Sequence, residues 1–290
     1  MLFSLDSRKS IGLIVKAGND FPEALEQTFA EWGLDLYTIR ENDRPSARGR
    51  ILYAEDASDR RYQGLTPPMP STVKDLASAD MVMAACFHFF DTAAQVSTQI
   101  NEITALRAHQ GLHLRPLYLW EPQAKSCCPE TFEEHKTVVK NVDIFSPNHA
   151  ELASFFTKSL CSAVLFDRGT IERQARAFLP SVISHHLCIL IRCAEHGCFV
   201  LSATPDEEKT TWMPPYHLPG STSVVDPTGA GNAFLGGAAM GYLEHGDFLK
   251  AAAYGSVAAS FAVETVGLPD IQQCGVKTRL EHYVSRLGEA

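Results

Sequence analysis

Short apolar segments alternate with helical patterns along most of this chain, and that alternation narrows the folds it can adopt. Strand patterns lie at 10–15, 34–40, 50–54, 115–120, 142–145, 187–193 and 198–202, with a further apolar segment at 81–90. Helix patterns lie at 22–32, 93–109, 151–156, 232–243 and 249–263. Strands that alternate with helices are typical of a mostly parallel sheet covered by helices on both faces. The sequence therefore predicts an α/β fold.

Composition and charge exclude several classes of protein. The 290 residues are enough to bury a large core without disulfides or metal ions. Lys and Arg number 25 against 34 Asp and Glu, and the resulting net charge of −9 disfavours direct binding to nucleic acid. No apolar run approaches the roughly 18 residues of a membrane span. The eight cysteines form no C-x-x-C pair and no secretory signal is visible, so we expect a cytoplasmic protein with reduced thiols and no membrane partner.

The most informative local pattern is a loop of small residues. Residues 224–237 read Val-Val-Asp-Pro-Thr-Gly-Ala-Gly-Asn-Ala-Phe-Leu-Gly-Gly, which predicts a strand that ends at Val225, a tight loop and then a helix. Glycines let backbone N–H groups converge, and a helix N-terminus carries partial positive charge. Gly229, Ala230 and Gly231 are therefore candidates for an anion hole suited to a phosphoryl group, although a tight strand-to-helix turn explains glycines as well.

Four segments together resemble one protein family. Residues 226–234 resemble the carboxy-terminal signature of the ribokinase-like (PfkB) sugar and nucleoside kinases, whose usual form is Asp-Thr-x-Gly-Ala-Gly-Asp-x-Phe. Residues 18–21 resemble the Gly-x-Asp-x-Phe motif of the family, and 146–151 resemble its Asn-x-x-Glu motif. Residues 190–197 resemble its nucleotide-side strand and turn. The similarity runs from about Ile11 to the end of the chain, and it also extends to a divergent fungal branch that includes a yeast killer-virus maintenance protein.

The resemblance implies a ribokinase-like three-layer sandwich in a single domain over 1–290, with a small β lid at 41–66. Members of the family usually begin with a strand that carries an acceptor-binding Asp, followed by a Gly-Gly motif and a helix. Only about ten residues precede the matching segment, so we expect the N-terminal strand to be missing, either because the chain is a shortened form or because the gene model begins late. We interpret most of the basic residues of the lid as solvated surface: Arg44, Arg48, Arg50, Arg60 and Arg61.

The resemblance also implies roles for single residues on the phosphate side. Gly229, Ala230 and Gly231 would supply the amides that hold the transferred phosphoryl group. Asp226 would lie near the acceptor hydroxyl or hold the loop. The simpler interpretation of Asp226 is a turn-forming residue at the end of a strand.

On the nucleotide side, the resemblance implies ATP and Mg²⁺ as the bound cofactors. Asn148 and Glu151 would organise the magnesium and its waters, with Glu151 acting on the metal through water. Ala194 and Gly197 would line the nucleotide pocket, with Ala194 where the family has its first glycine. Simpler roles exist for the same residues, namely a helix cap for Asn148, a first-turn acid for Glu151 and a hairpin turn for Gly197.

Asn232 departs from the family pattern in a way that bears on catalysis. The pattern has an aspartate there, which is the base that takes the proton of the acceptor hydroxyl. A neutral amide cannot accept that proton, and the loss of a general base typically costs about 10²–10⁴ in rate. Phosphoryl transfer depends chiefly on positioning and charge neutralisation, so residual turnover stays compatible with Asn232.

Two hypotheses about function follow. The first is ATP-dependent phosphotransfer to a hydroxyl of a sugar or nucleoside-like small molecule, impaired by Asn232. The second is a catalytically dead homologue that binds a nucleotide or a protein partner. A Rossmann-type dehydrogenase is disfavoured because no G-x-G-x-x-G follows the first strand. The sequence leaves open whether the lid pairs two copies into a homodimer, and His88 is interpreted as a hydrogen-bonded core histidine.

Overall fold

The structure, a computed structural model, describes residues 11–53, 60–157, 166–269 and 275–288. Its strands are β1 (Gly12–Gly18), β2 (Asp35–Glu41), β3 (Gly49–Tyr53), β4 (Arg60–Gly64), β5 (Cys86–Asp91), β6 (Leu117–Pro122), β7 (Ile144–Phe145), β8 (Leu187–Arg192), β9 (Cys198–Ala203) and β10 (Glu208–Met213). Its helices are α1 (Glu23–Glu31), α2 (Val73–Ser78), α3 (Ala93–His109), α4 (Phe132–Val139), α5 (His149–Ser154), α6 (Arg168–Arg176), α7 (Ala230–His245), α8 (Phe248–Val263) and α9 (Val276–Gly288).

The chain divides into two compact units. The larger unit contains 85–101 and 114–290, and the smaller unit contains 2–84 and 102–113. The single domain over 1–290 and the role of 41–66 as a lid stay predictions. Met1–Ser10, Cys161, Cys274 and the side chains of Arg60 and Arg61 lie outside the described residues.

The larger unit is built on a six-stranded sheet with the order β10-β9-β8-β7-β6-β5. Strands β5 to β8 are parallel, while β9 and β10 run antiparallel at one side. Every residue of β6 is buried, as is every residue of β8 except the half-buried Arg192. Parallel strands that are covered on both faces have such continuous apolar sequences. The predicted mostly parallel α/β sheet is therefore confirmed.

Aromatic side chains fill the core beside the central strands. Trp120 is fully buried, stacks on His135 with ring centroids 5.0 Å apart and donates its indole N–H to the carbonyl of Asp91 at 3.0 Å. Phe145 of β7 packs against Phe178 with centroids 5.0 Å apart. Because such rings bury large apolar areas, they fix β6 and β7 firmly against the helical layer.

Helix α7 is held by close packing on α8. A Cβ atom added to Gly237 would lie 2.5 Å from the carbonyl oxygen of Tyr254, and one added to Gly255 would lie 2.8 Å from that of Phe234. Both distances are too short for any side chain, so the two backbones touch through glycine. The N-terminus of α7 therefore has a fixed position within the larger unit.

The smaller unit contains a parallel pair, β1 and β2, joined through α1, and an antiparallel hairpin formed by β3 and β4. The hairpin lies within the predicted insertion at 41–66 and exposes the large side chain of Tyr62. At its base, Asp20 accepts a hydrogen bond from the amide of Ser46 at 2.7 Å. None of the described helices has the length and apolar composition to cross a bilayer.

One predicted element is wrong. Val224 and Val225 do not end a strand, since they lie outside every described strand and expose 44% and 57% of their surface. The amides of Val225 and Asp226 instead donate to the carbonyl of Val263 at 2.7 and 3.0 Å. The loop before α7 is therefore tied to the C-terminal end of α8 rather than to the sheet.

Candidate functional site

The carboxyl ends of three neighbouring parallel strands place the polar residues of the candidate site. Trp120 of β6 pairs with Phe145 of β7, which pairs with Ile189 of β8, so these strands end side by side. Just past those pairs lie Glu121 and Arg192, and Arg192 forms an isolated parallel bridge with Asn148. In open α/β sheets, ligands bind outside the carboxyl ends of the strands.

The N-terminus of α7 leaves its first-turn amides without a side-chain cap. Gly229 is the N-cap residue, adopts a left-handed conformation with φ of +83° and supplies no side chain to accept a hydrogen bond. Helix termini with uncapped N–H groups and a positive dipole end bind anions well.

Arg192 lies directly against this helix terminus. A Cβ atom added to Gly231 would come 2.3 Å from Arg192 Nη1 and 4.0 Å from Glu121 Oε1. Gly231 is the second residue of α7, so glycine there leaves room for the guanidinium group. The terminus of α7 and the ends of β6 and β8 thus form one site, which we call the strand-edge site: Glu121, Asn148, Glu151, Arg192 and the first turn of α7.

Two carboxylates hold the guanidinium of Arg192. Its Nη2 lies 2.9 Å from Glu121 Oε1 and 3.5 Å from Glu151 Oε2, and it donates to the carbonyl of Ser146 at 3.0 Å. The side chains of Glu121 and Arg192 are both largely buried, with 7% and 11% of their surface exposed. Burial alone would raise the pKa of Glu121, but the interactions with His88 and Arg192 outweigh burial, so that pKa lies below its usual range.

Asn148 and Glu151 form a capping box at the start of α5. Asn148 Oδ1 accepts hydrogen bonds from the amides of Ala150 and Glu151, both at 2.9 Å. Glu151 Oε2 accepts the amide of Asn148 at 2.8 Å. The simpler roles of these two residues are therefore present in the structure. These capping roles are compatible with a further role in the strand-edge site, because the same oxygen of Glu151 also faces Arg192.

The turn between β8 and β9 has the backbone of a glycine-rich loop. Ala194 has φ of +49°, a left-handed conformation that glycine adopts more readily than alanine. This conformation explains why the family motif has a glycine at the position of Ala194. Gly197 has φ of +85°, and a Cβ there would lie 2.0 Å from the carbonyl oxygen of Met213. Gly197 is thus required for the hairpin, while its part in a nucleotide pocket stays a prediction.

The remaining predicted residues lie in the loop before α7 and at its start. Asp226 Oδ1 accepts the amide of Thr228 at 2.9 Å, so this carboxylate shapes the loop. Ala230 donates its amide to the carbonyl of Pro227 at 3.2 Å. Asn232, at the position of the family base, is exposed in the first turn of α7.

The segment at 18–21 belongs to the smaller unit, whereas the strand-edge site lies wholly within the larger one. Asp20 pairs with Arg48 at 2.8 Å, and hydrogen bonds from Ser46 together with that pair lower the pKa of Asp20. Its observed contacts therefore support the base of the β3–β4 hairpin.

Sequence reasoning missed Glu121, Arg192 and His88. His88 is not in the core: it projects from the exposed face of β5 and its Nε2 lies 3.5 Å from Glu121 Oε2. The alternation along β5 explains this, since Phe87 and Phe89 occupy the buried face. The available signal was a charged residue at the end of an otherwise apolar strand, since Glu121 is the penultimate residue of β6 and Arg192 is the last residue of β8.

No cluster of three or more His, Cys, Asp or Glu side chains that could hold a metal occurs among the described residues. Mg²⁺ does not require such a cage, because it usually takes one or two carboxylates and completes its shell with waters and phosphate oxygens. Glu121 Oε1 and Glu151 Oε2 already contact Arg192, so a magnesium ion at the strand-edge site would meet the other oxygen of each carboxylate. The residues present therefore fit a magnesium ion that arrives with a phosphate ligand.

The sheet and the helices around it define a ribokinase-like α/β fold. A ribokinase structure from Giardia lamblia superposes with a TM-score of 0.66 at 17% identity, over 99% of this chain and 87% of that one. A putative ribokinase II from Escherichia coli in complex with ATP and Mg²⁺ superposes with a TM-score of 0.61 at 17% identity, over 98% and 87%.

The family follows from the sequence match. The model of the pfkB family of carbohydrate kinases matches residues 7–272, and the chain belongs to this family. An uncharacterized protein of Schizosaccharomyces pombe is 29% identical over 275 residues, covering 90% of this chain and 73% of that protein. Protein MAK32 of Saccharomyces cerevisiae is 28% identical over 271 residues, covering 90% and 73%. The predicted resemblance to the family and to a fungal branch of it is confirmed.

Proposed function

We propose that this protein transfers the γ-phosphoryl group of ATP to a hydroxyl of a sugar or nucleoside-like small molecule. One observation carries the proposal: the uncapped N-terminus of α7 meets buried carboxylates at the carboxyl ends of β6, β7 and β8. An anion site beside oxygen ligands is what a nucleotide triphosphate with its magnesium requires. Membership of a carbohydrate kinase family supports the same reaction.

The residues divide the work as follows. The amides at Gly229, Ala230 and Gly231 hold the transferred phosphoryl group, for which the amide of Ala230 must leave the carbonyl of Pro227. Their N–H dipoles stabilise charge that develops during transfer. Glu151 and Asn148 orient the metal side of the triphosphate. Magnesium, when bound, neutralises phosphate charge and orients the leaving group. Asp226 keeps the loop before α7 in shape and faces the acceptor side.

Asn232 sets the expected rate. Its amide can orient an acceptor hydroxyl through a hydrogen bond, but it cannot take the proton. We therefore propose a slow enzyme, about 10²–10⁴ below a carboxylate-bearing counterpart. The same residue favours a second candidate function, a homologue that binds nucleotide without turnover.

The experiment compares the wild type with Asn232→Asp in ATP consumption over a panel of sugars and nucleosides. Asn101→Asp, an exposed amide-to-acid change on α3, controls for the added charge. We expect Asn232→Asp to raise turnover about 10²–10⁴-fold, since it restores a general base. The control should match the wild type.

Two results would point elsewhere. ATP–Mg²⁺ binding in a thermal-shift assay without turnover in either protein favours the nucleotide-binding homologue. A wild type that already turns over rapidly and is slowed by Asn232→Asp would show that the proton leaves by another route.

The cytoplasmic location is also kept as a proposal, supported by the free thiols of the described cysteines: Cys86, Cys127, Cys128, Cys188, Cys193 and Cys198.

A further inference from the structure

The positively charged guanidinium of Arg192 lies at the N-terminus of helix α7, where the positive end of the helix dipole repels a cation. Its guanidinium Nη1 lies against the second residue of α7, at the positive end of a 16-residue helix. Helix termini favour the opposite arrangement, with anions at the N-terminus. The carboxylates of Glu121 and Glu151 balance the guanidinium charge and keep it beside the helix terminus, whose dipole still favours an anion there.

The hydrogen bonds of Arg192 leave part of the guanidinium uncommitted. The contacts to Glu121, Glu151 and the Ser146 carbonyl all use Nη2. Nε is buried and has no acceptor among the described residues. Buried polar groups nearly always have a partner, and a donor without one marks a place where a ligand or a water is missing.

The carboxylate of Glu121 explains how such a cation stays in place. Only 7% of the Glu121 side chain is exposed, and its Oε1 lies both 2.9 Å from Arg192 Nη2 and 4.0 Å from the Cβ position of Gly231. Glu121 therefore holds Nη2 of the guanidinium beside the first turn of α7. Nη1, which lies against Gly231, keeps a preset orientation at the helix terminus.

We infer that Arg192 binds the phosphate chain of the nucleotide and that Glu121 is its positioning residue. This inference rests on the proposed function and adds to it a phosphate-binding cation at the end of β8. Arginine suits the task because its charge is permanent and its planar donors match phosphate oxygens. The positive charge of Arg192 beside the phosphate would also stabilise the charge that develops during transfer, whereas Asn232 cannot accept the proton of the acceptor hydroxyl.

The test measures affinity by titration calorimetry for three probes: ATP with Mg²⁺, inorganic tripolyphosphate and adenosine. The variants are Arg192→Met, Arg192→Lys and Glu121→Gln. Arg176→Met is the matched control, because Arg176 also pairs with two glutamates in the larger unit, and these are Glu172 of α6 and Glu208 of β10 rather than residues of the strand-edge site. Circular dichroism checks that each variant is folded. If Arg192→Met alone leaves the buried carboxylate of Glu121 unpaired and destabilises the protein, the double variant Glu121→Gln/Arg192→Met, which removes both charges, replaces it in the test.

We expect Arg192→Met to weaken ATP and tripolyphosphate about 10- to 100-fold, which is the usual value of a charged hydrogen bond. Arg192→Lys should recover part of that loss, Glu121→Gln should weaken the same two probes less, and Arg176→Met should have no effect. Adenosine affinity should not change in any variant. This selectivity for phosphate-bearing probes distinguishes ligand contact from a structural role.

Other outcomes separate the two proposals. If the wild type binds ATP and the folded Arg192 variants bind ATP equally well, the role of Arg192 is refuted while the proposed function stands. The same conclusion follows if the Arg192 variants lose as much affinity for adenosine as they lose for ATP. If the wild type binds tripolyphosphate but not ATP, and Arg192→Met loses it, the anion contact holds and the kinase proposal fails. If the wild type binds neither phosphate probe, both are refuted.

Discussion

At the scale of the residue, two glycines on α7 have different surroundings and should respond differently to the same change. Gly231 faces Arg192, where an added Cβ would lie 2.3 Å from Nη1. Gly236 lies in the same helix and has no heavy atom within 4 Å of the added Cβ. The clashing atom at Gly231 is the end of a side chain that the buried carboxylate of Glu121 holds, so an added Cβ would displace the guanidinium from that ion pair. The cost therefore falls on folding stability as well as on ligand binding.

We predict that Gly231→Ala lowers ATP affinity at least about tenfold, because it displaces Arg192 from the helix terminus. Gly236→Ala should leave ATP affinity unchanged and raise stability by about 0.5–1 kcal/mol, the usual gain from replacing glycine inside a helix. Urea denaturation and ATP titration of both variants provide the comparison. Equal ATP affinities in the two alanine variants would mean that the approach to Gly231 has no part in binding.

At the scale of the element, helix α5 begins where β7 ends, so one residue serves both a helix and the strand-edge site. Asn148 caps the helix through its side-chain oxygen, and Glu151 returns the hydrogen bond. Serine at position 148 can keep the cap, whereas alanine cannot. The pair of substitutions therefore separates the cap from any contact with the nucleotide.

We expect Asn148→Ala to lower the free energy of unfolding by about 1 kcal/mol and Asn148→Ser to change it by only a few tenths. Both should weaken ATP–Mg²⁺ binding if the amide also contacts the triphosphate or its metal shell. Chemical denaturation and calorimetry measure the two effects separately. Full ATP affinity in Asn148→Ser would assign Asn148 to the helix cap alone.

At the scale of the whole molecule, sequence patterns predicted the α/β class and most of the elements of the larger unit. The long helices α7 and α8 and the hairpin of β8 and β9 had clear periodicity or apolar runs. Strand β10 was missed because its first residues, Glu-Lys-Thr-Thr, are polar and lie at the exposed edge of the sheet. The sequence predicts a strand at Val224 and Val225 because β-branched residues favour strands, yet these residues pair with none of the described strands.

The candidate site followed from the sequence only along one stretch of chain. The loop before α7 and the Asn-x-x-Glu segment are contiguous motifs, so spacing was enough to find them. Glu121, His88 and Arg192 come from three different strands, and only the register of the sheet brings them together. The contact of Arg192 with Gly231 depends on how α7 packs against α8, which no local pattern in the sequence indicates.

The most direct measurement is a crystal structure of the protein with Mg²⁺ and a non-hydrolysable ATP analogue. We predict that the γ-phosphate lies within hydrogen-bond distance of the amides at Gly229–Gly231, with the Arg192 guanidinium on the phosphate chain and the metal on the side of Glu151. A well-ordered nucleotide whose phosphates lie away from the N-terminus of α7 would contradict that arrangement and, with it, the assignment of the phosphate-binding site.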